Sequence, residues 1–156
     1  MNIKQLIRKQ EGFTLIEILV VIGLIAVLAA VVLVAINPAR QFAQAHNSQR
    51  QANVQAILDA TGQYIADNKG ATPAAITITA TNVSKAGIDI CSLLVPTYIS
   101  ALPSDPTAAN GGASITDCTT AYNTEYQVSK DANGRITIAA PNTEKPPAAA
   151  NVSVTR

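Results

Sequence analysis

The sequence predicts an α+β protein in which a long N-terminal α-helix packs against a small antiparallel β-sheet. The first observation is that residues 13–36 are apolar on every side, with Glu17 as the one charged exception. A helix on a soluble protein shows a polar face, so this stretch is predicted to lie in a membrane. The second observation is that residues 122–130 and 135–140 alternate polar and apolar side chains around an Asn-Gly turn, a pattern typical of a β-hairpin.

Residues 1–12 form a short leader ahead of the apolar helix, with three basic residues and one acidic residue. At a rise of about 1.5 Å per residue, a helix over residues 13–36 is long enough to cross a hydrocarbon core of about 30 Å. Because basic segments stay on the cytoplasmic side, we expect the leader inside and the remainder of the chain outside. Glu17 lies near the start of the helix, where an acidic side chain in lipid costs free energy and indicates a functional residue.

The order of residues at this boundary is specific, because the basic leader is followed at positions 12–17 by Gly-Phe-Thr-Leu-Ile-Glu. This order resembles the class III signal of type IV prepilins and type II secretion pseudopilins. The resemblance implies that a prepilin peptidase cleaves between Gly12 and Phe13 and N-methylates the new amino terminus. It further implies that Glu17 governs assembly by pairing with the amine of Phe13 in the next subunit. Pairing with Phe13 of the same chain is the simpler alternative.

Two other interpretations explain less of this region. A secretory signal peptide has an apolar core of about 7–15 residues, which is shorter than this run. A plain single-span anchor explains the length of the run, but it explains neither the Gly12-Phe13 dipeptide nor Glu17.

The resemblance implies a structural subunit that is held in the inner membrane and handled by an inner-membrane assembly platform. Such subunits polymerise through their N-terminal helices into a filament at the cell surface or in the periplasm. Two alternatives stay open: a pseudopilin of a type II secretion system, and a membrane-tethered adhesin or DNA-uptake module that does not polymerise. The sequence has no catalytic constellation or cofactor motif, so we predict no enzyme and no cofactor, and without a basic cluster nucleic-acid binding is not indicated.

Residues 37–70 are predicted to form the amphipathic outer half of the long helix. Pro38 removes a backbone donor and is expected to break or kink the helix. His46 and Arg50 lie in a polar part of this stretch and are predicted to be solvated. One face carries apolar side chains at helical spacing, namely Val54, Ile57, Leu58 and Ile65.

Residues 71–140 are predicted to form the globular head. Within them, residues 76–79 alternate and are predicted to be a short strand, and residues 88–99 are predicted to contain a short helix or turn. Residues 141–156 are rich in Pro and Ala and are predicted to be a flexible tail. For pilins, the resemblance implies a helical stick that carries such a head.

The chain has two cysteines, Cys91 and Cys118. Both follow the membrane helix, so they are predicted to lie outside the cytoplasm, where such a pair most simply forms a disulfide. A metal site is the poorer interpretation, because the single histidine is distant in sequence and no Cys-x-x-Cys is present.

A calcium site is the remaining metal candidate in the head. Residues 98–106 loosely resemble the loop before the sheet in pseudopilins, many of which bind calcium in the loop that follows. Asp105 and Asp117 are the candidate oxygen donors, but the Asp-rich alternation of a calcium loop is missing, and we predict no metal.

Overall fold

A computed structural model describes residues 12–144 and 152–156. The chain divides into an N-terminal unit that ends at Pro38 and a head that begins at Ala39. The elements are three helices, α1 (Leu15–Ile36), α2 (Pro38–Asp67) and α3 (Cys91–Leu94), and four strands, β1 (Thr81–Ser84), β2 (Asn123–Lys130), β3 (Ile136–Ala140) and β4 (Val152–Thr155). The α+β prediction, with a long apolar N-terminal helix and a small antiparallel sheet, is confirmed.

The helical stretch is interrupted at Asn37, one residue before Pro38. Helix α1 ends at Ile36, and Asn37 takes the left-handed conformation with φ 47° and ψ 80°. Asparagine tolerates this conformation better than most residues. Helix α2 then begins at Pro38, where the missing N–H is harmless because the first turn of a helix has no intrahelical acceptor for it.

Helix α2 buries the apolar face that its sequence predicts. Val54, Ile57 and Leu58 are buried, and Ile65 packs half-buried against the same cluster. Thr61 lies on this face as well, and its hydroxyl donates to the carbonyl of Ile57 at 2.8 Å, so the buried oxygen has a partner. The head therefore uses α2 as one wall of its core.

The head contains a four-stranded antiparallel sheet in the order β1-β2-β3-β4. The predicted hairpin is confirmed as β2 and β3. The chain turns between Asp131 and Gly134, where the N–H of Gly134 donates to the carbonyl of Asp131 at 3.0 Å and Gly134 has a φ of 82°. Of the predicted short helix or turn within residues 88–99, the helix is found as α3, which buries Cys91 and Leu94.

The predicted strand at residues 76–79 is wrong, because the edge strand next to β2 is β1 instead. In a strand, Ile76 and Ile78 would lie on the same face. Ile76 is buried, but Ile78 is 76% exposed, and the N–H of Ile76 closes a turn onto the carbonyl of Pro73. The period-two pattern at these residues does not correspond to a core-facing strand.

The predicted flexible tail is wrong at its end, because Val152–Thr155 forms β4 and pairs with β3. Val152 and Val154 pack half-buried against the core, which explains their alternation with Ser153 and Thr155. Residues 145–151, the other part of that predicted tail, lie outside the described residues.

A single hydrophobic core joins α2, α3 and the sheet. Its largest fully buried apolar side chains are Tyr126, Ile57, Ile76, Ile90, Leu94, Leu102, Ile138, Val54, Val83 and Val128. A small sheet needs a covered apolar face for independent stability, and the buried residues of α2 contribute to the core on that face.

Candidate functional site

The amino-terminal end of α1 is closed by a capping box between Thr14 and Glu17. The hydroxyl of Thr14 accepts the N–H of Glu17 at 3.2 Å, and the carboxylate of Glu17 accepts both the N–H of Thr14 at 3.1 Å and its hydroxyl at 2.9 Å. Sequence reasoning missed this partner, although Thr-x-x-Glu ahead of an apolar run is the signature of a capping box. Glu17 therefore caps the start of α1 within its own chain, and this role is independent of any role in assembly.

Gly12 and Phe13 precede this cap in an open environment. The side chain of Phe13 is 82% exposed, and a β-carbon placed on Gly12 would meet no atom within 4 Å. Packing within residues 12–144 and 152–156 therefore gives no steric reason for glycine at position 12 or for phenylalanine at position 13.

The lateral surface of α1 is apolar and entirely uncovered. None of its 22 residues is buried within the chain. Among the described residues, α1 is the one helix that is long and apolar enough to cross a membrane. Exposed apolar surface of this extent is typical of a site of contact with a membrane or with other proteins.

The boundary between the leader and α1 is also the part of the chain that matches a known family of sequence motifs. Residues 7–33 match the prokaryotic N-terminal methylation motif. This class III signal is characteristic of type IV pilins and pseudopilins, and its presence here confirms the predicted resemblance. The match ends within α1, so it characterises the N-terminal segment and not the head. Comparison with curated proteins and with solved structures found no match.

The predicted disulfide is present in the head, between Cys91 and Cys118, with 5.4 Å between the two Cα atoms. Hydrogen bonds hold both ends of the bridge in place. Asp89 accepts the N–H of Cys91 at 3.3 Å and the hydroxyl of Tyr122 at 2.8 Å. The Lys85 ammonium donates to the Cys118 carbonyl at 2.9 Å.

Arg50 lies at the centre of a buried ion cluster, and the prediction that it is solvated is wrong. Its side chain is 0% exposed, and each of its five N–H groups has an acceptor. Two bonds reach the carboxylate of Asp105, at 2.7 and 2.9 Å, and one reaches Glu144 at 2.8 Å. The other two reach Asn47 and Thr107, each at 3.0 Å.

Glu144, which follows β3, contacts three residues of α2. Its carboxylate also contacts the ring of His46 at 2.8 Å, so the prediction that His46 is fully solvated is wrong as well. The side chain of Asn47 donates to the carbonyl of Glu144 at 2.8 Å and accepts its N–H at 3.0 Å. The residues that we name the Arg50 cluster are therefore Arg50, Asp105, Glu144, Asn47 and His46.

The cluster shifts the pKa values of its acids downward. Burial raises the pKa of Asp105, but the hydrogen bonds from Arg50 and Thr107 outweigh it and leave this pKa below its usual value. The hydrogen bond from Arg50 is the largest cause of the lowered pKa of Glu144. Both carboxylates therefore stay charged in the folded head at neutral pH.

The two candidate calcium ligands have other partners. The carboxylate of Asp105 accepts hydrogen bonds from the guanidinium of Arg50 and the hydroxyl of Thr107. The positive charge next to this carboxylate is therefore that of Arg50. Asp117 accepts both the N–H and the hydroxyl of Thr119, at 2.8 and 2.6 Å. Within the described residues, no group of three metal-binding side chains is present.

We expect the Arg50 cluster to make the stability of the head sensitive to acid. Since the pKa values of Asp105 and Glu144 are lower in the folded than in the unfolded chain, their contribution is complete above the unfolded values, about 4. It is lost as pH falls below about 4 through the folded values. Denaturant unfolding of the full chain in detergent at a series of pH values measures this.

Glu144→Gln should flatten this acid dependence, while Glu125→Gln, outside the cluster, serves as the matched control. An identical acid dependence in the two variants would contradict the assignment to the cluster.

Proposed function

We propose that this chain is a structural prepilin. It is cleaved after Gly12, N-methylated at Phe13, anchored in the membrane by α1 and then polymerised through α1 into a type IV pilus-like filament. The observation that carries this proposal is the coincidence of the methylation motif at residues 7–33 with a helix whose apolar side chains are all uncovered.

The uncovered surface of α1 supports two successive environments. Before assembly, lipid surrounds the helix, with the basic leader on the cytoplasmic side and the head outside. After assembly, the α1 helices of other copies replace the lipid and form a continuous apolar core. Identical head-to-tail contacts with a rotation that does not close generate a fibre, not a ring.

The open environment of Gly12 and Phe13 supports processing at this bond. Among the described residues, no atom lies within 4 Å of a β-carbon placed on Gly12, and Phe13 is 82% exposed. Recognition of the dipeptide by a prepilin peptidase explains these two residues where local packing does not. The exposed position of both residues leaves the bond accessible to it.

A pseudopilin of a type II secretion system is the second candidate, because the same motif is characteristic of both classes. The two differ in the filament that they form. Shearing cells and imaging the released fraction distinguishes them, since a pilus yields long surface filaments and a pseudopilus stays in the periplasm.

The first prediction of this proposal concerns processing. The mature protein should begin at Phe13 and carry a methylated amine, which intact-mass measurement and N-terminal sequencing of the membrane form detect. Gly12→Val should leave uncut precursor in the membrane, because the peptidase loses its cleavage site while α1 still inserts. A mature protein that keeps residues 1–12 would contradict the proposal.

Our second prediction separates the two roles of Glu17. Glu17→Gln keeps the capping box, which accepts either side chain, but removes the charge that would pair with the amine of Phe13. Thr14→Ala does the reverse, because it removes the cap and keeps the charge. If Glu17 directs assembly, Glu17→Gln should be cut and inserted normally and yet lose filaments, whereas Thr14→Ala should still assemble.

The measurement is the ratio of sheared to membrane-bound protein in cells that lack the native copy. Normal filament yield from Glu17→Gln would show that the acid serves its own helix alone. Loss of filaments from Thr14→Ala alone would assign the effect to the cap.

A further inference from the structure

The head contains the tripeptide Ala-Asn-Gly twice, at residues 109–111 and 132–134. The two copies share their backbone environment. Both glycines are left-handed, with φ 68° at Gly111 and 82° at Gly134. The N–H of Gly111 donates to the carbonyl of Ala108 at 2.8 Å, and that of Gly134 donates to the carbonyl of Asp131 at 3.0 Å. Both asparagines are exposed.

The two copies differ in what holds the asparagine side chain. The amide nitrogen of Asn110 donates to the hydroxyl of Ser104 at 3.1 Å and to the carbonyl of Ala113 at 2.9 Å. Its oxygen accepts the N–H of Gly112 at 3.1 Å. By contrast, no described residue forms a hydrogen bond with the side-chain amide of Asn133. Its backbone N–H donates to the carboxylate of Asp131 at 2.8 Å.

An Asn-Gly dipeptide can undergo an intramolecular reaction, because glycine has no side chain to shield its backbone nitrogen. The nitrogen of the glycine attacks Cγ of the asparagine, a new C–N bond closes a succinimide ring, and the amide leaves as ammonia with the displaced proton. Water then opens either C–N bond of the ring and leaves aspartate or isoaspartate. The reaction needs a side-chain amide that is free to turn towards the backbone.

We propose that Asn133 is a site of spontaneous deamidation in the folded protein, and that Asn110 is protected by its side-chain hydrogen bonds. Release of Asn110 requires breaking at least two hydrogen bonds that Asn133 does not make. At the usual net strength of such bonds, this difference corresponds to a rate at least about tenfold higher at Asn133.

Reaction at Asn133 would change the turn between β2 and β3. The carboxylate of Asp131 accepts the N–H groups of Asn133 and Arg135, both at 2.8 Å. Isoaspartate adds one methylene group to the backbone between these two donors, so the turn cannot keep both bonds. The reaction would also add a negative charge to the lining of a cavity of about 360 Å³ that includes Arg156, which already pairs with Asp59 at 3.2 Å.

The test follows both asparagines in one sample. Full-length protein in detergent is incubated at mildly alkaline pH, and mass spectrometry of reduced, digested aliquots measures the amide-to-acid conversion at each position. Isoaspartyl methyltransferase labelling identifies the isoaspartate product. The same measurement in denaturant gives the intrinsic rates, which should be equal because the tripeptides are identical.

In the folded protein, conversion should accumulate at Asn133 at least about tenfold faster than at Asn110. Ser104→Ala should raise the rate at Asn110 and leave that at Asn133 unchanged. Equal folded rates, a faster reaction at Asn110, or no reaction at Asn133 in folded protein while both react in denaturant would overturn the proposal.

Discussion

Replacing Arg50 with methionine should lower the free energy of unfolding of the head by about 3–5 kcal/mol, because it leaves a buried carboxylate without its countercharge. Asp105 is fully buried, and two of its hydrogen bonds come from the guanidinium of Arg50. Glu144 loses a partner as well. The methionine fills part of the volume of the lost side chain, so the effect reports the missing charge more than a cavity.

The matched control for this change is Arg135→Met on the same head. Arg135 pairs with Asp131 at 2.7 Å, which is as short as the bond from Arg50 to Asp105, but the side chain of Arg135 is 64% exposed. An exposed ion pair of this kind contributes about 0–1 kcal/mol. The two variants therefore compare a buried arginine that makes five hydrogen bonds with an exposed arginine that pairs with one carboxylate.

A second variant tests whether the cost comes from the unpaired acid. Arg50→Met combined with Asp105→Leu removes both buried charges and should recover part of the lost stability. Denaturant unfolding of the full chain in detergent, followed by circular dichroism, measures all three variants. A loss at Arg50 no larger than that at Arg135 would contradict the prediction.

The features that could be predicted from the sequence are those encoded by neighbouring residues. Helix α1 follows from an uninterrupted apolar run, and the β2–β3 hairpin follows from two alternating stretches around an Asn-Gly turn. The methylation motif lies within one short segment as well. In each case the residues that determine the element are close in sequence, so no knowledge of the tertiary fold is needed.

The Arg50 cluster could not be predicted in this way, because its partners are far apart along the chain. Asp105 lies 55 residues from Arg50, and Glu144 lies 94 residues from it. A lone arginine in a polar helical stretch is usually solvated, and only the approach of two separate loops to α2 reverses that expectation.

Strand β4 was not predicted from the sequence, for a different reason. Its Val-Ser-Val-Thr alternation is visible in the sequence, but it is only four residues long and follows a Pro- and Ala-rich segment. Pairing with β3 is what determines its conformation, and that pairing is a tertiary interaction.

Removing the disulfide by the double change Cys91→Ala and Cys118→Ala should lower the free energy of unfolding by about 3–4 kcal/mol. The bridge closes a loop with a sequence separation of 27 residues, and the loss of this constraint gives the unfolded chain more freedom. The folded head should keep its structure, because Asp89 and Lys85 still hold the two ends of the loop through hydrogen bonds. Alanine is preferred to serine at position 91, since Cys91 is fully buried and a serine hydroxyl there would lack a partner.

Reduction of the unmodified protein should cost the same stability as the double alanine variant, apart from the small packing loss at Cys91. Lys85→Met is the control for the neighbouring hydrogen bonds and should cost no more than about 1 kcal/mol, because the side chain of Lys85 is 41% exposed and its ion pair with Asp89 is solvated. Unfolding curves with and without reductant give the values, and tryptic mapping without reductant verifies the linked peptide pair. If reduction leaves the unfolding curve of the native chain unchanged, the head does not depend on the bridge; if Lys85→Met matches the disulfide loss, the hydrogen bonds and not the covalent constraint hold the loop.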